Sequence, residues 1–207
     1  MADQESPSER FSDDEAAPAR KRPRPGERRL QILQTLAAML EQPGAERVTT
    51  ASLAAKIGVS EAALYRHFAS KAQMFEGLID FVDQSVIGLI RQVTDREPAG
   101  PVQASRIVAL LLQFAEKNPG MSRVMIGDAL VLEHERLQER INLLFDKIEA
   151  QLRQSLKGMA SATPTADAQL VASLLVAFMQ GRLQRFARSG FKRLPSEHLQ
   201  AALARIL

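Results

Sequence analysis

The sequence predicts an all-α fold on three observations. Apolar residues recur at three- and four-residue steps along most of the chain. No stretch alternates apolar and polar residues in the way of a half-buried strand. Breaks rich in Pro, Gly and Asn cut the pattern into helix-length pieces, at Pro43-Gly44, between Pro98 and Pro101, at Asn118-Pro119-Gly120 and at Pro164.

Taken in order, residues 1–25 are low in apolar content and rich in Pro, Ser, Glu, Asp and Arg. Such a segment buries too little surface to offset the entropy of ordering, and is expected to be a disordered tail. Its charges segregate: Asp13, Asp14 and Glu15 precede Arg20, Lys21, Arg22 and Arg24, with Arg28 and Arg29 just inside the first helix. A basic arm of this kind can lie along phosphates or enter a minor groove. The first helix is expected over 26–40, with Leu30, Leu33, Leu36, Ala37 and Leu40 inward.

Residues 49–68 carry the most informative pattern. Thr49 or Thr50 can cap a short helix, because a hydroxyl accepts a backbone N–H that lacks an intrahelical partner. Leu53, Ala54 and Ile57 share one face of that helix, and Gly58 stands where the chain needs positive φ to end it. Val59 fills the corner, Ser60 caps a second helix, and Leu64 with Phe68 dock it onto the first. This is a helix-turn-helix. Its outward face holds Ser60, Glu61, Ala63, Arg66 and His67, with Tyr65 and Lys71 at the edges, a polar surface suited to a major groove. An ordinary helical hairpin would share the Leu-Ala-x-x-x-Gly-Val-Ser core. The basic approach, the place near the N-terminus and the capping box Ser70-Lys71-Ala72-Gln73 favour a DNA reader. Lys71 at the head of a helix offers a site for a phosphate.

Ser70 opens a long helix over 70–96 that presents Met74, Phe75, Leu78, Ile79, Val82, Val86, Ile90 and Val93. A helix over 102–117 follows, then a short one over 122–132. The next, over 133–158, repeats Leu137, Ile141, Leu144, Ile148 and Leu152 along one face. The helix over 165–188 is apolar on several sides, from Leu170 to Phe186, so more than one neighbour must cover it. A last helix is expected from Pro195 or Ser196 to Leu207. Two reading heads are needed to reach successive major-groove faces, one helical turn apart, and a symmetric dimer supplies them. The last two helices are therefore expected to form a homodimer seam through Leu174, Phe178, Gly181, Leu199 and Leu203, with Gly181 permitting close approach.

The expected organisation is a tail over 1–25, a three-helix DNA-binding unit over 26–71 and a helical dimerisation and partner-binding unit over 72–207. In 207 residues, 45% hydrophobic, there is material for a sizeable core. The net charge of +3 is compatible with a nucleic-acid partner. With no cysteine, disulfide and thiol chemistry are excluded, which fits a reducing cytoplasm. No stretch approaches the roughly 18 uncharged apolar residues of a membrane helix. His67, His134 and His198 are scattered, no phosphate loop or nucleophile–base arrangement is legible, and neither enzymatic activity nor a cofactor or metal is expected. The inward residues of the second half offer few polar handles, so no small-molecule ligand is expected either. A ligand-responsive repressor remains the alternative, and a helical scaffold without DNA is a third.

Leu64-Tyr65-Arg66-His67-Phe68 followed by Ser70-Lys71, after Gly58-Val59-Ser60, resembles the helix-turn-helix of the TetR family. The runs Asn118-Pro119-Gly120, 136–142 and 148–154 resemble, more narrowly, the nucleoid occlusion factors of that family, over about residues 28–193. The resemblance implies an N-terminal helix-turn-helix domain and a C-terminal helical domain with a four-helix dimer seam. On double-stranded palindromic sites, Arg28, Thr49, Thr50, Tyr65, His67 and Lys71 would mainly hold phosphates, while Ser60, Ala62, Ala63 and Arg66 would lie at or near base edges. It also implies a nucleoid-associated inhibitor of division whose protein partner is the C-terminal tail of the tubulin-like GTPase FtsZ. That tail would dock between the fourth and fifth helices on Phe81, Leu110, Lys117 and Asn118. Leu89 and Gln113 depart from the family pattern, which places a basic and a small residue there.

Overall fold

A computed structural model describes residues 26–42, 48–157 and 164–207. The tail with Arg20, Lys21, Arg22 and Arg24, and the break at Pro43-Gly44, lie outside the described residues. Among those described, every regular element is helical: α1 Glu27–Leu40, α2 Thr50–Ile57, α3 Glu61–Tyr65, α4 Lys71–Thr94, α5 Pro101–Lys117, α6 Pro119–Met125, α7 Glu135–Leu156, α8 Pro164–Arg188 and α9 Leu199–Leu203, with a 3-10 turn at Asp128–Leu130.

The first three helices pack around Ile32, Leu36, Leu40, Leu53, Ile57, Leu64 and Phe68. In α1 the inward stripe runs through Ile32, Leu36, Ala37 and Leu40, whereas Leu30, expected inward, is 52% exposed and Leu33 is only half-buried. The two registers differ by a fraction of a turn, and α2, α4 and α6 all pack against α1. A single core then continues without a break from Ile32 into the body of the protein.

That body is built by α4 to α8. The 24 residues of α4 carry it about 36 Å away from the helix-turn-helix. The short connection after Thr94 turns α5 back alongside, and α6 lies across α1. Ion pairs fix α7 parallel to α4: Glu76 with Arg136 (2.8 Å), Asp80 with Arg140, and Asp83 with Lys147 (3.0 Å), partners that rise in number together. Arg153 and Glu149 both bond Gln169, closing the α7–α8 hairpin.

Gly120 sets the junction between α6 and α1. A Cβ there would stand 2.1 Å from the carbonyl oxygen of Ala37, so only glycine lets the two backbones touch. The expected helix over 122–132 is divided, because Gly127 takes φ 78° between α6 and the 3-10 turn.

The C-terminal segment differs most from expectation. It does not form a long helix to Leu207. From Ser189 to His198 the chain folds back on the body: Ser189 Oγ accepts from the N–H groups of Lys192 and Arg193, Ser196 N–H donates to Glu116 (2.7 Å), and Arg182 donates to the Glu197 carbonyl (2.7 Å). Phe191 stacks edge-on against Phe186 with centroids 5.1 Å apart, under the Arg123 guanidinium. Leu199 and Leu203 of α9, expected in the seam, are buried in the protein's own core. Leu174 is half exposed, Gly181 is exposed and Phe178 half-buried, all on the outward side of α8.

Candidate nucleic-acid interface

Capping chemistry builds the helix-turn-helix. Thr49 and Ser52 cap α2 reciprocally, each hydroxyl accepting the other's backbone N–H at 3.1 Å. Gly58 ends α2 at φ 77°, with its N–H bonded to Ala54 (2.9 Å). Ser60 Oγ accepts from Ala63 N–H at 3.2 Å and opens α3. Ser70 Oγ accepts from Gln73 N–H, while Gln73 reaches back to the N–H of Ala69 rather than to that of Ser70.

On this frame Ser60, Glu61, Ala62, Tyr65, Arg66 and His67 are exposed and Ala63 is half-buried. Arg66 has no side-chain partner among the described residues, which leaves its fork of donors free. Arg29 plays a part the sequence did not disclose. Its guanidinium donates to the His67 carbonyl (2.8 Å) and lies 4.0 Å from the Phe68 ring centroid, locking the exit of α3 to α1. Lys56, exposed on the last turn of α2, is a further cation that sequence reasoning passed over. Its position beside inward Ile57 was the available signal.

Three expected phosphate ligands are partly engaged within the chain. Arg28 donates to Gln31 (2.8 Å). Thr50 Oγ1 donates to Glu61 (2.6 Å), bolting the start of α2 to that of α3. The ammonium of Lys71 donates to Glu133.

The residues expected to face a protein partner lie on the paired helices α4 and α5. Phe81 is 44% exposed, Leu110 half-buried and Lys117 exposed. Asn118 donates its side-chain amide to the Phe114 carbonyl (2.7 Å), so it serves the end of α5. Of the two departures from the family pattern, Leu89 is half-buried and Gln113 exposed. On the opposite flank of α4 an open groove of about 670 Å³ runs toward α7, lined by Ile87, Gly88, Arg91, Lys147 and Ala150 among others. No described helix is long and apolar enough to cross a membrane. No group of three or more His, Asp or Glu among the described residues could hold a metal ion.

Residues 32–78 match the family described as bacterial regulatory proteins, tetR family, and residues 101–205 match an SlmA-like, tetracyclin repressor-like C-terminal domain. The nucleoid occlusion factor SlmA of Idiomarina loihiensis is 50% identical over 177 residues, covering 84% of this chain and 90% of that protein. The chain belongs to the SlmA family of TetR-type proteins. SlmA of Shewanella oneidensis is likewise 50% identical, over 83% of this chain and 88% of its own. Among solved structures, the TetR family transcriptional regulator PfmR of Thermus thermophilus superposes with a TM-score of 0.66 at 21% identity, covering 86% of this chain and 97% of that one. A transcriptional regulator from Rhodococcus gives 0.70 at 20%, covering 86% and 92%. At that identity the likeness is one of fold.

Proposed function

We propose that this chain is a DNA-bound inhibitor of cell division acting in nucleoid occlusion. The observation that carries the reading is identity of about half the residues to proteins named nucleoid occlusion factor SlmA, over more than four fifths of the chain. The exposed face of α3, with Arg66 unpaired among the described residues, supports it. Arg66, Ser60, Ala62 and Ala63 lie at or near base edges, and Arg28, Thr49, Tyr65, His67 and Lys71 hold phosphates. Thr50 contributes chiefly by fixing α2 to α3 through Glu61.

Two copies join through the outward face of α8, where Leu170, Leu174, Phe178 and Gly181 follow one another at helical spacing. The paired heads then read a near-palindrome with half-sites about 34–36 Å apart. The DNA-loaded dimer takes the C-terminal tail of FtsZ on the α4–α5 flank, with Phe81 and Leu110 as apolar anchors and Lys117 meeting its acidic groups. Polymers of FtsZ are thereby disrupted over the nucleoid in the cytoplasm.

The test combines genome-wide mapping of bound sites with sedimentation of FtsZ polymers. Sites scattered along the chromosome and sparse near the replication terminus are expected, with polymer loss only when protein and its DNA site are both present. Binding confined to one or two promoters, with FtsZ polymers untouched, would overturn the reading in favour of a local repressor.

A further inference from the structure

The ion pairs between α4 and the α7 side of the body have a regular polarity with one exception. Glu76, Asp80 and Asp83 put the acid on α4 and the cation on α7. At the helix-turn-helix end the order reverses: Lys71 on α4 supplies the cation, and Glu133, just before α7, the acid. Lys71 is the first residue of α4, beside Ser70 as cap. The positive end of a helix favours acidic side chains and disfavours a lysine. A cation placed there calls for a neighbouring anion.

Glu133 supplies an anion to the ammonium from inside the protein. Leu130 and Leu137 are buried on either side of it, while Val131 and Leu132 point outward, 76% and 63% exposed. Its side chain is only 12% exposed, and that of Lys71 is 30% exposed, so the pair sits at the surface with one edge open to solvent. No other cation among the described residues pairs with Glu133, since Arg136, Arg140 and Lys147 are matched to α4 acids.

We propose that Glu133 is an internal stand-in for a DNA phosphate. It holds Lys71 in the free protein and is displaced when the backbone of a bound duplex takes the ammonium. The inference rests on the DNA-binding reading above. Glu133 thus lowers the affinity for DNA, and binding releases the connection at Val131–Glu133 from the head of α4. The exchange leaves a mark on the salt dependence. A phosphate neutralised by Lys71 sheds condensed counterion, with a contribution of about 0.9 to the slope of log K against log salt. Freed Glu133 recruits a cation of its own and offsets part of that release.

Glu133→Gln keeps the shape and removes the charge. In the full chain, titrated against a duplex carrying the protein's site, it is expected to bind about 2- to 5-fold more tightly at low salt, the range for a partly exposed ion pair. Its salt slope is expected to steepen by a fraction of one unit. In the Lys71→Ala background the same change is expected to do nothing. Glu133→Asp, which keeps the charge but shortens the reach, is expected to give a smaller rise and carries the test if the Gln variant does not fold. Parent and variant binding with equal affinity and slope would overturn the inference, as would an equal gain with Lys71 absent, which marks a diffuse charge effect. Failure of the parent itself to bind any duplex would instead bring down the DNA-binding reading, and the inference with it.

Discussion

Replacing Gly120 by alanine tests whether the helix-turn-helix unit is bolted to the body by direct backbone contact. The new Cβ would begin 2.1 Å from the Ala37 carbonyl oxygen, 3.0 Å from its carbon and 3.2 Å from Glu41 Cγ. Favourable C–H···O contacts sit at about 3.3–3.6 Å, so α6 must withdraw from α1 by more than about 1 Å. A carbonyl inside a helix cannot rotate aside as a side chain does. A radial gap of 0.5–1 Å already forfeits a quarter to a half of each dispersion contact along the seam. Met121, Val124 and Met125 of the same short helix are all in the core. Overpacking of this kind costs about 1–3 kcal/mol, and a backbone obstacle puts Gly120→Ala at the upper end. For a chain of this size about 3 kcal/mol lowers Tm by roughly 6–12 °C. Gly88→Ala is the matched control: nothing lies within 4 Å of its Cβ, it is interior to α4, and a gain of about 0.5–1 kcal/mol is expected. Thermal melts followed by circular dichroism read both. A Gly120→Ala protein melting within about 2 °C of the parent would refute the reasoning.

Thr49→Ala removes the reciprocal cap of α2 and is expected to cost about 1 kcal/mol, seen as a Tm lower by roughly 2–4 °C. Leu174→Glu places a charge on the outward face of α8 without touching the core; monomers are expected in analytical ultracentrifugation, with the helical circular dichroism signal retained. Arg66→Ala is expected to weaken binding to the specific site by about 1–3 kcal/mol and to relax preference at one base position, measured by competition against mutated half-sites.

Much of this fold follows from local chemistry that a sequence displays. The caps at Thr49, Ser60 and Ser70, the left-handed Gly58 and the apolar stripe of α4 each depend on residues within a turn or two of one another. What the periodicity withholds is which neighbour covers a stripe. Leu199 and Leu203 carry the same helical spacing whether they face a partner copy or their own core. Of the bends that decide it, Gly190 (φ 62°) carries a turn signature, whereas Phe191 (φ 64°) and His198 (φ 53°) use residues that carry none. The same ambiguity misplaced Leu30 against Ile32, because both stripes of α1 are apolar enough to be buried and the choice falls to the helices packed on α1.

The interface was legible in its backbone and incomplete in its charges. Ser60, Tyr65, Arg66 and His67 reach the surface as a sequence of this pattern requires, since their neighbours Leu64 and Phe68 fix the inward side. The state of each cation, however, is decided by residues far away along the chain. Arg29 is bound to the exit of α3 from 38 residues off, and Lys71 to Glu133 from 62. A charged side chain read from sequence alone counts as available to DNA. Among the described residues of this surface, Arg66 and Lys56 have no acidic partner, whereas Lys71 is paired with a carboxylate. On the proposal that Glu133 stands in for a phosphate, the affinity of this surface follows from an exchange of anions as well as from the number of its positive charges, and substitutions that never touch the nucleic acid shift the balance.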